Sequence, residues 1–521
     1  METTATTKTT TVTTLEGTFR SAIRASCFYG IGCMVLALVI VPSHLVVGCD
    51  CYTVPATQKH DTRDTHTHTH AHTQTYDTHT IQQKIWDYKS RYDIGYEVAT
   101  ANAVSKSDIS TSNIYANVDS KNEPILLLNG FGVGSFHQHR LIPELLKDDS
   151  SNSNAKQKPR TVYCIDYLGQ GRSWPKHCMD GKGENEKDLQ YSANTWCEQI
   201  IDFIEQVVVP SEKMQTNNDN ERAGTATTKV HLVGNSVGGH LAAHIAMRRP
   251  DLVSSICLLN PTPVWGSKLV GWNGHLPAPI IPKTIGRYLF DRIRDLKTID
   301  KFLESVYSTK EAYTEELMQQ IRGATLGNGG HAAFASIMWS APLQSSSADN
   351  SSTNFQNCLR NLPSDLDVFL VFGQDDPWCK PAFAKNMLKA LEERRRDIDV
   401  GTSSIVPTTK QQHKRESVQR YVQITNAGHC PNHEAPKAVG HLVRAWVNAK
   451  DDGRHKGRLS FVVAVKKNSS VDANRDHDHQ AMPMPTTSMS FAEEWAEHTV
   501  VELDGDDIPL SLTDRIFTTF M

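Results

Sequence analysis

Val230-His-Leu-Val-Gly-Asn-Ser-Val-Gly-Gly-His240 runs directly into Leu241-Ala-Ala-His-Ile-Ala-Met247. The opening residues form a short apolar run that meets glycine, the pattern of a buried strand, and the Ala-rich continuation reads as a helix. At the junction lies Gly234-Asn-Ser-Val-Gly238, a serine with glycine two residues to either side. The spacing has a steric reason. A serine on a sharp strand-to-helix turn holds a strained backbone, and side chains two positions away would collide. The helix that starts there points unpaired N–H groups and its positive dipole end at the hydroxyl. The competing reading is a tight turn with an incidental serine, and the flanking strand and helix argue against it.

Similar apolar runs recur on both sides. Pro124–Asn129, Thr161–Asp166, Lys229–Val233, Ser255–Asn260 and Asp367–Phe372 read as buried parallel strands, with a weaker one at Arg420–Ile424. Between the second and third, Asn194–Val207 has helical spacing. Its apolar face is Trp196, Ile200, Ile201, Ile204 and Val207, and Glu198, Asp202 and Glu205 lie opposite. Such alternation over about 360 residues predicts an α/β fold with a mainly parallel sheet covered on both faces.

A serine at its ordinary pKa is a poor nucleophile and needs a base oriented by a carboxylate. In this kind of fold the chain order is serine, acid, histidine. Phe372-Gly-Gln-Asp-Asp-Pro-Trp378 ends a strand at the edge where ligands gather, which makes Asp376 the candidate acid and Asp375 its competitor. Ala427-Gly-His-Cys-Pro431 follows the last strand and offers His429 as the base. Cys430 beside it reads as a packing residue. Acyl transfer also needs donors for a developing oxyanion. The glycine-dense Leu128-Asn-Gly-Phe-Gly-Val-Gly-Ser-Phe-His137 supplies the N–H of Phe131, and the helix start supplies that of Val237. A phosphate loop is the alternative there, but no Gly-Lys-Ser/Thr follows and the G-x-G-x-x-G spacing is absent.

These three loops resemble those of the α/β-hydrolase superfamily. More closely, the chain is similar to the pheophytinases, plastid esterases that remove phytol from magnesium-free chlorophyll. The resemblance is carried by Gly130–His137, Ile165-Asp-Tyr-Leu-Gly-Gln-Gly-Arg-Ser173, Val233–Gly239, Leu258-Leu-Asn-Pro-Thr-Pro-Val-Trp-Gly266, Phe334-Ala-Ser-Ile-Met338, Asp376-Pro-Trp378 and Ala427–Pro431. It covers about residues 84–449. Asn129 departs from the Pro or His that usually precedes the oxyanion glycine. Serine at 236 argues against relatives that use an Asp nucleophile.

Alternation is interrupted over 261–341, which reads as a mostly helical lid with helices at Ile285–Leu296 and Tyr313–Arg322. Trp265, Trp272, Leu289, Phe290, Phe334, Met338 and Trp339 give it an apolar lining, with Trp265 and Met338 as candidate pocket walls. Most of the others simply pack the lid onto the core.

Outside 84–449 the composition changes. The chain has 521 residues, of which 39% are hydrophobic. This is below the ~45–50% usual for globular chains, so part of the length is tail, linker or insertion. Residues 1–48 hold basic residues before the apolar run Ile31–Val41, a signal peptide or short anchor that Pro42 interrupts before a full span. Residues 49–83 are Thr- and His-rich, including Thr65-His-Thr-His-Thr-His70, and are expected to be disordered, as is the polar tail 450–521. Polar insertions are expected at 147–159, 211–228, 345–356 and 395–417. A net charge of −4 gives no basic footprint for nucleic acid, and eleven cysteines are too sparse for a disulfide framework.

The expectation from sequence is therefore a serine carboxylic-ester hydrolase that needs no metal or organic cofactor. The resemblance implies pheophytin as the substrate and a plastid as the compartment, with the secretory pathway or a membrane anchor as the alternative. Membrane association is expected through the N-terminal apolar segment or the lid. The rival functions are an esterase or lipase for other apolar esters, and a non-catalytic ligand-binding protein on the same scaffold.

Overall fold

A computed structural model describes residues 73–76, 79–101, 122–147, 160–216, 228–263, 272–341, 355–401, 417–452, 498, 500–503 and 508. Apolar runs become strands because alternate side chains meet two separate cores. In β4 (Ile125–Leu128), Leu126 and Leu128 enter the core under helices Ala193–Phe203, Val237–Arg248 and Ala382–Gly401. Ile125 and Leu127 point the other way, toward helices Leu141–Leu145 and Pro436–Asp451. The same alternation holds in β8 (Val253–Leu259), with Ile256 and Leu258 on the first side and Cys257 and Leu259 on the second.

One sheet results, in the order β1 (Thr73–Tyr76), β2 (His79–Tyr88), β3 (Tyr92–Ala101), β5 (Thr161–Ile165), β4, β7 (Val230–Asn235), β8, β9 (Asp367–Gly373), β10 (Gln419–Ile424) and β11 (Val500–Glu502), with β6 (Trp174–Pro175) paired to β3. The centre, from β5 through β4, β7, β8 and β9 to β10, is parallel throughout. Both flanks are antiparallel: β1, β2 and β3 on one side, β11 on the other. The α/β fold with a mainly parallel, doubly covered sheet is the one expected. Among the described residues no helix is long and apolar enough to cross a membrane.

Two boundaries differ from expectation. Strands β1 and β2 reach into 49–83, and β11 comes from 450–521. Strands pair through their backbones, so polar side chains do not prevent them, and β2 and β11 are seated by the buried Ile81 and Val500. The helix of Asn194–Val207 begins at Ala193, capped by the Ser192 hydroxyl, and passes into a π-turn at Ile204–Val208. Among the described residues the lid carries four α-helices, Ile280–Ile293, Leu296–Val306, Glu315–Gly323 and Gly330–Trp339. The two expected ones lie across these with shifted ends. The apolar segment at 31–41, the His-rich run 65–70 and most of the polar insertions lie outside the described residues.

Candidate active site

Ser236 stands between β7 and the helix Val237–Arg248 with φ 55° and ψ −117°, a conformation that side-chain-bearing residues rarely hold. The glycines at 234 and 238 make that turn feasible. A Cβ on Gly234 would collide with the Gly238 carbonyl, and one on Gly238 with the carbonyl of Leu128. Backbone bonds from Ser236 N to Leu259 O and from Thr262 N to Ser236 O, 2.9 and 3.1 Å, fix the turn against β8.

His429 reaches Ser236 from the loop after β10. Its Nε2 lies 2.9 Å from Ser236 Oγ, and its Nδ1 lies 2.8 Å from Asp376 Oδ2. A carboxylate only accepts, so Nδ1 carries the proton and Nε2 is left to accept from the serine hydroxyl. Both His429 and Asp376 are buried. Burial alone pushes the imidazole down, but the Asp376 charge and hydrogen bond, with Glu434 behind them, outweigh it and leave the pKa raised. Asp376 Oδ1 is held in turn by the amides of Trp378 and Cys379 at 2.7 and 2.9 Å. Asp375, the competing acid, points elsewhere and accepts from the Ser308 hydroxyl at 2.8 Å.

The loop bearing Phe131 closes the other side. A methyl group on Gly130 would sit 3.7 Å from Ser236 Cβ, so this backbone lies beside the serine side chain. Val237 is the first residue of its helix, where amides lack intrahelical acceptors. Gln170 braces the loop: its Oε1 accepts from Gly132 N at 3.2 Å and its Nε2 donates to Val133 O at 3.1 Å. Asn129, the departure noted above, is fully buried and ties the end of β4 to β5 through Ile165 O at 3.0 Å. Gln138 donates to its side chain and Tyr167 to its main-chain carbonyl.

Two asparagines were not singled out by sequence. Asn235 Nδ2 donates to His429 O at 2.9 Å, and Asn260 Nδ2 donates to Asp376 Oδ2 at 2.6 Å. Asn260 Oδ1 also accepts from Gly373 N at 2.8 Å, so one side chain fixes both the carboxylate and the strand end that carries it. The signal available was their position, Asn235 inside the glycine-flanked pentapeptide and Asn260 at the end of a strand.

Behind His429, the rings of His137 and His433 stack with centroids 5.0 Å apart. Burial first, then the neighbouring imidazole charge and Arg140, lowers His137 to about 3 and His433 to about 2, so both remain neutral. Met338 is buried in an apolar cluster with Leu289, Phe290, Phe334 and Trp339, against which Phe131 packs. Trp265 lies outside the described residues.

Two groups among the described residues bring three potential metal-ligand atoms together: Asp376, Cys379 and His429, and Glu123, His231 and Asp451. In the first, the carboxylate and imidazole already bond each other. In the second, Arg160 pairs with Asp451 at 2.8 Å and its charge opposes a cation. The arrangement around Ser236 suits proton transfer to and from a hydroxyl, beside amides able to receive negative charge.

The sequence matches the description "Alpha/beta hydrolase family" over residues 125–441, more than half of the chain. A chloroplastic pheophytinase of Arabidopsis thaliana is 26% identical over 379 residues, which cover 65% of this chain and 64% of that protein. The match thus spans a little under two thirds of that relative's length. Similar solved structures include the enol-lactonase from Burkholderia xenovorans LB400, at 14% identity and a TM-score of 0.41, covering 70% of this chain and 100% of that one. A meta-cleavage product hydrolase from Pseudomonas fluorescens IP01 gives 14% and 0.40, covering 68% and 94%. The matched region contains the parallel sheet, the turn at Ser236 and the loops of Asp376 and His429, and the chain belongs to the alpha/beta hydrolase family.

Proposed function

We propose that the chain is a serine carboxylic-ester hydrolase whose substrate is a phytylated, magnesium-free tetrapyrrole. The observation that carries the chemistry is the continuous hydrogen-bonded series Ser236–His429–Asp376. In this reading Ser236 Oγ attacks the ester carbonyl carbon while His429 Nε2 takes its proton. Asp376 holds the imidazole in the required tautomer and stabilises its charged form. The amides of Phe131 and Val237 receive the negative charge of the tetrahedral oxygen. Collapse breaks the bond to phytol, which leaves with the proton from His429. Water, deprotonated by the same imidazole, then releases the pheophorbide acid and restores Ser236. No step calls for a metal or organic cofactor.

The substrate is suggested by the Arabidopsis relative's name and by the apolar, aromatic cluster beside Phe131, where Met338 would form one wall. That relative is chloroplastic, which favours a plastid location for this chain. Ser236→Ala should cost roughly a thousandfold or more of ester turnover. Parallel assays on pheophytin, chlorophyll and a neutral glyceride test the substrate. Hydrolysis of the glyceride alone would reject the tetrapyrrole, and unchanged turnover in the Ser236 variant would reject the mechanism.

A further inference from the structure

The helix Ile280–Ile293 is apolar on two sides. Its inner side places Gly286, Leu289 and Phe290 in the protein, and Leu289 and Phe290 join the cluster against which Phe131 packs. On its outer side Ile281, Ile285 and Tyr288 follow one another at helical spacing, and Ile280 lies at its start. Ile280 is 84% exposed, Ile281 71%, Tyr288 57% and Ile285 42%. Single exposed apolar residues need no explanation, but four on one helix form a patch. Met179, 69% exposed, stands on the loop that Arg287 pins to this helix through Asp180.

We infer that this outer side docks on the surface of an anionic lipid bilayer, with the isoleucines inserted among the acyl chains. Charge favours that occupant. The helix holds three cations, Lys283, Arg287 and Arg292, against the single carboxylate Asp291, in a chain whose net charge is −4; Arg287 is paired with Asp180 at 2.9 Å, which leaves Lys283 and Arg292 to meet headgroups. Asp291 is already paired with Arg294 and His331, and the Arg292 guanidinium lies 5.3 Å from the centre of the Tyr288 ring. An exposed aliphatic stripe flanked by basic residues that can reach headgroup phosphates is the pattern of a helix lying in a membrane interface. Docked this way, the helix that walls the site on one side meets lipid on the other, and an apolar ester enters without crossing water. That consequence rests on the function proposed above; the docking itself does not.

The test uses the full chain with vesicles of phosphatidylcholine alone or mixed with phosphatidylglycerol. Amide hydrogen exchange is followed in peptides covering 280–293. Mixed vesicles should slow exchange there by about tenfold or more, and phosphatidylcholine alone should do so less. Ile281→Ser with Ile285→Ser should abolish the protection while leaving hydrolysis of a soluble short-chain ester intact. Protection that the double variant retains, that vesicles do not produce, that is equal on both compositions, or that arises from protein concentration alone would overturn the inference. Loss of soluble-ester turnover in the unmodified chain would instead refute the proposed chemistry and leave the docking standing.

Discussion

The side-chain amide of Asn235 donates to the main-chain carbonyl of His429 across 194 positions of sequence, so the residue preceding Ser236 also holds the loop opposite it. The same amide donates to Leu259 O at 3.2 Å. Asn235→Ala should therefore lower stability by about 1–3 kcal/mol and reduce kcat/KM by about tenfold, because the His429 carbonyl stays buried without this donor while Leu259 O keeps only the Ser236 amide. Urea unfolding and steady-state ester kinetics on the same preparation check the pair of effects.

Asn260 presents a second case. Replacing it by Ala leaves Asp376 without one donor and the Gly373 amide without its acceptor. A hydrogen bond to a charged group contributes about 1.5–3 kcal/mol, so kcat should fall by roughly ten- to a hundredfold with KM little changed. An equal loss confined to KM would count against a role in positioning the carboxylate.

The pH dependence has a definite sign. In the proposed mechanism His429 must be neutral to accept the Ser236 proton, and although burial lowers its pKa, Asp376 and Glu434 leave it raised from 6.5. The acid limb of kcat/KM should therefore have its midpoint above 6.5. Glu434→Gln removes one of the charges that raise it and should move that limb to lower pH.

His137 and His433 couple stability to acid in the opposite sense. Both are held neutral in the fold, near 3 and 2, whereas the unfolded chain protonates them below about 6.5. As pH falls through that value the unfolded state binds more protons, and each group removes about 1.4 kcal/mol of stability per pH unit. Unfolding curves recorded between neutral pH and pH about 5 should show a slope that His433→Leu reduces.

Gly238→Ala tests the packing of the turn. Its methyl would come within 2.6 Å of the Leu128 carbonyl carbon and 2.8 Å of Asn129 O, at the start of the loop that carries Phe131. A cost of about 1–3 kcal/mol is expected, with activity lost beyond what stability explains because the loop must move.

The central strands could be read in the sequence because their apolar runs are continuous, and Ser236, Asp376 and His429 because each sits on a short signal at a strand end. The β2–β3 hairpin gave less to read. Its turn uses Lys89 and Ser90 at φ 53° and 54°, and neither residue type announces a positive φ as Asn-Gly would. Asn260 is recognisable only once Asp376, 116 positions later, is brought beside it. The lid helix ends were displaced because Ile280 and Ile281 are apolar yet exposed, which breaks the link between hydrophobicity and a buried face.

Strand β11 pairs antiparallel with β10 and adds the ion pair of Glu502 with Arg420 at 3.2 Å. The edge next to the strand that leads to His429 is thus covered by residues translated almost fifty positions after the helix Pro436–Asp451 ends. A nascent chain lacks that cover until residue 502 has left the ribosome, so the sheet is sealed late in synthesis. Truncation between the helix Pro436–Asp451 and that point leaves an open β10 template for intermolecular pairing, a hazard of aggregation rather than of chemistry.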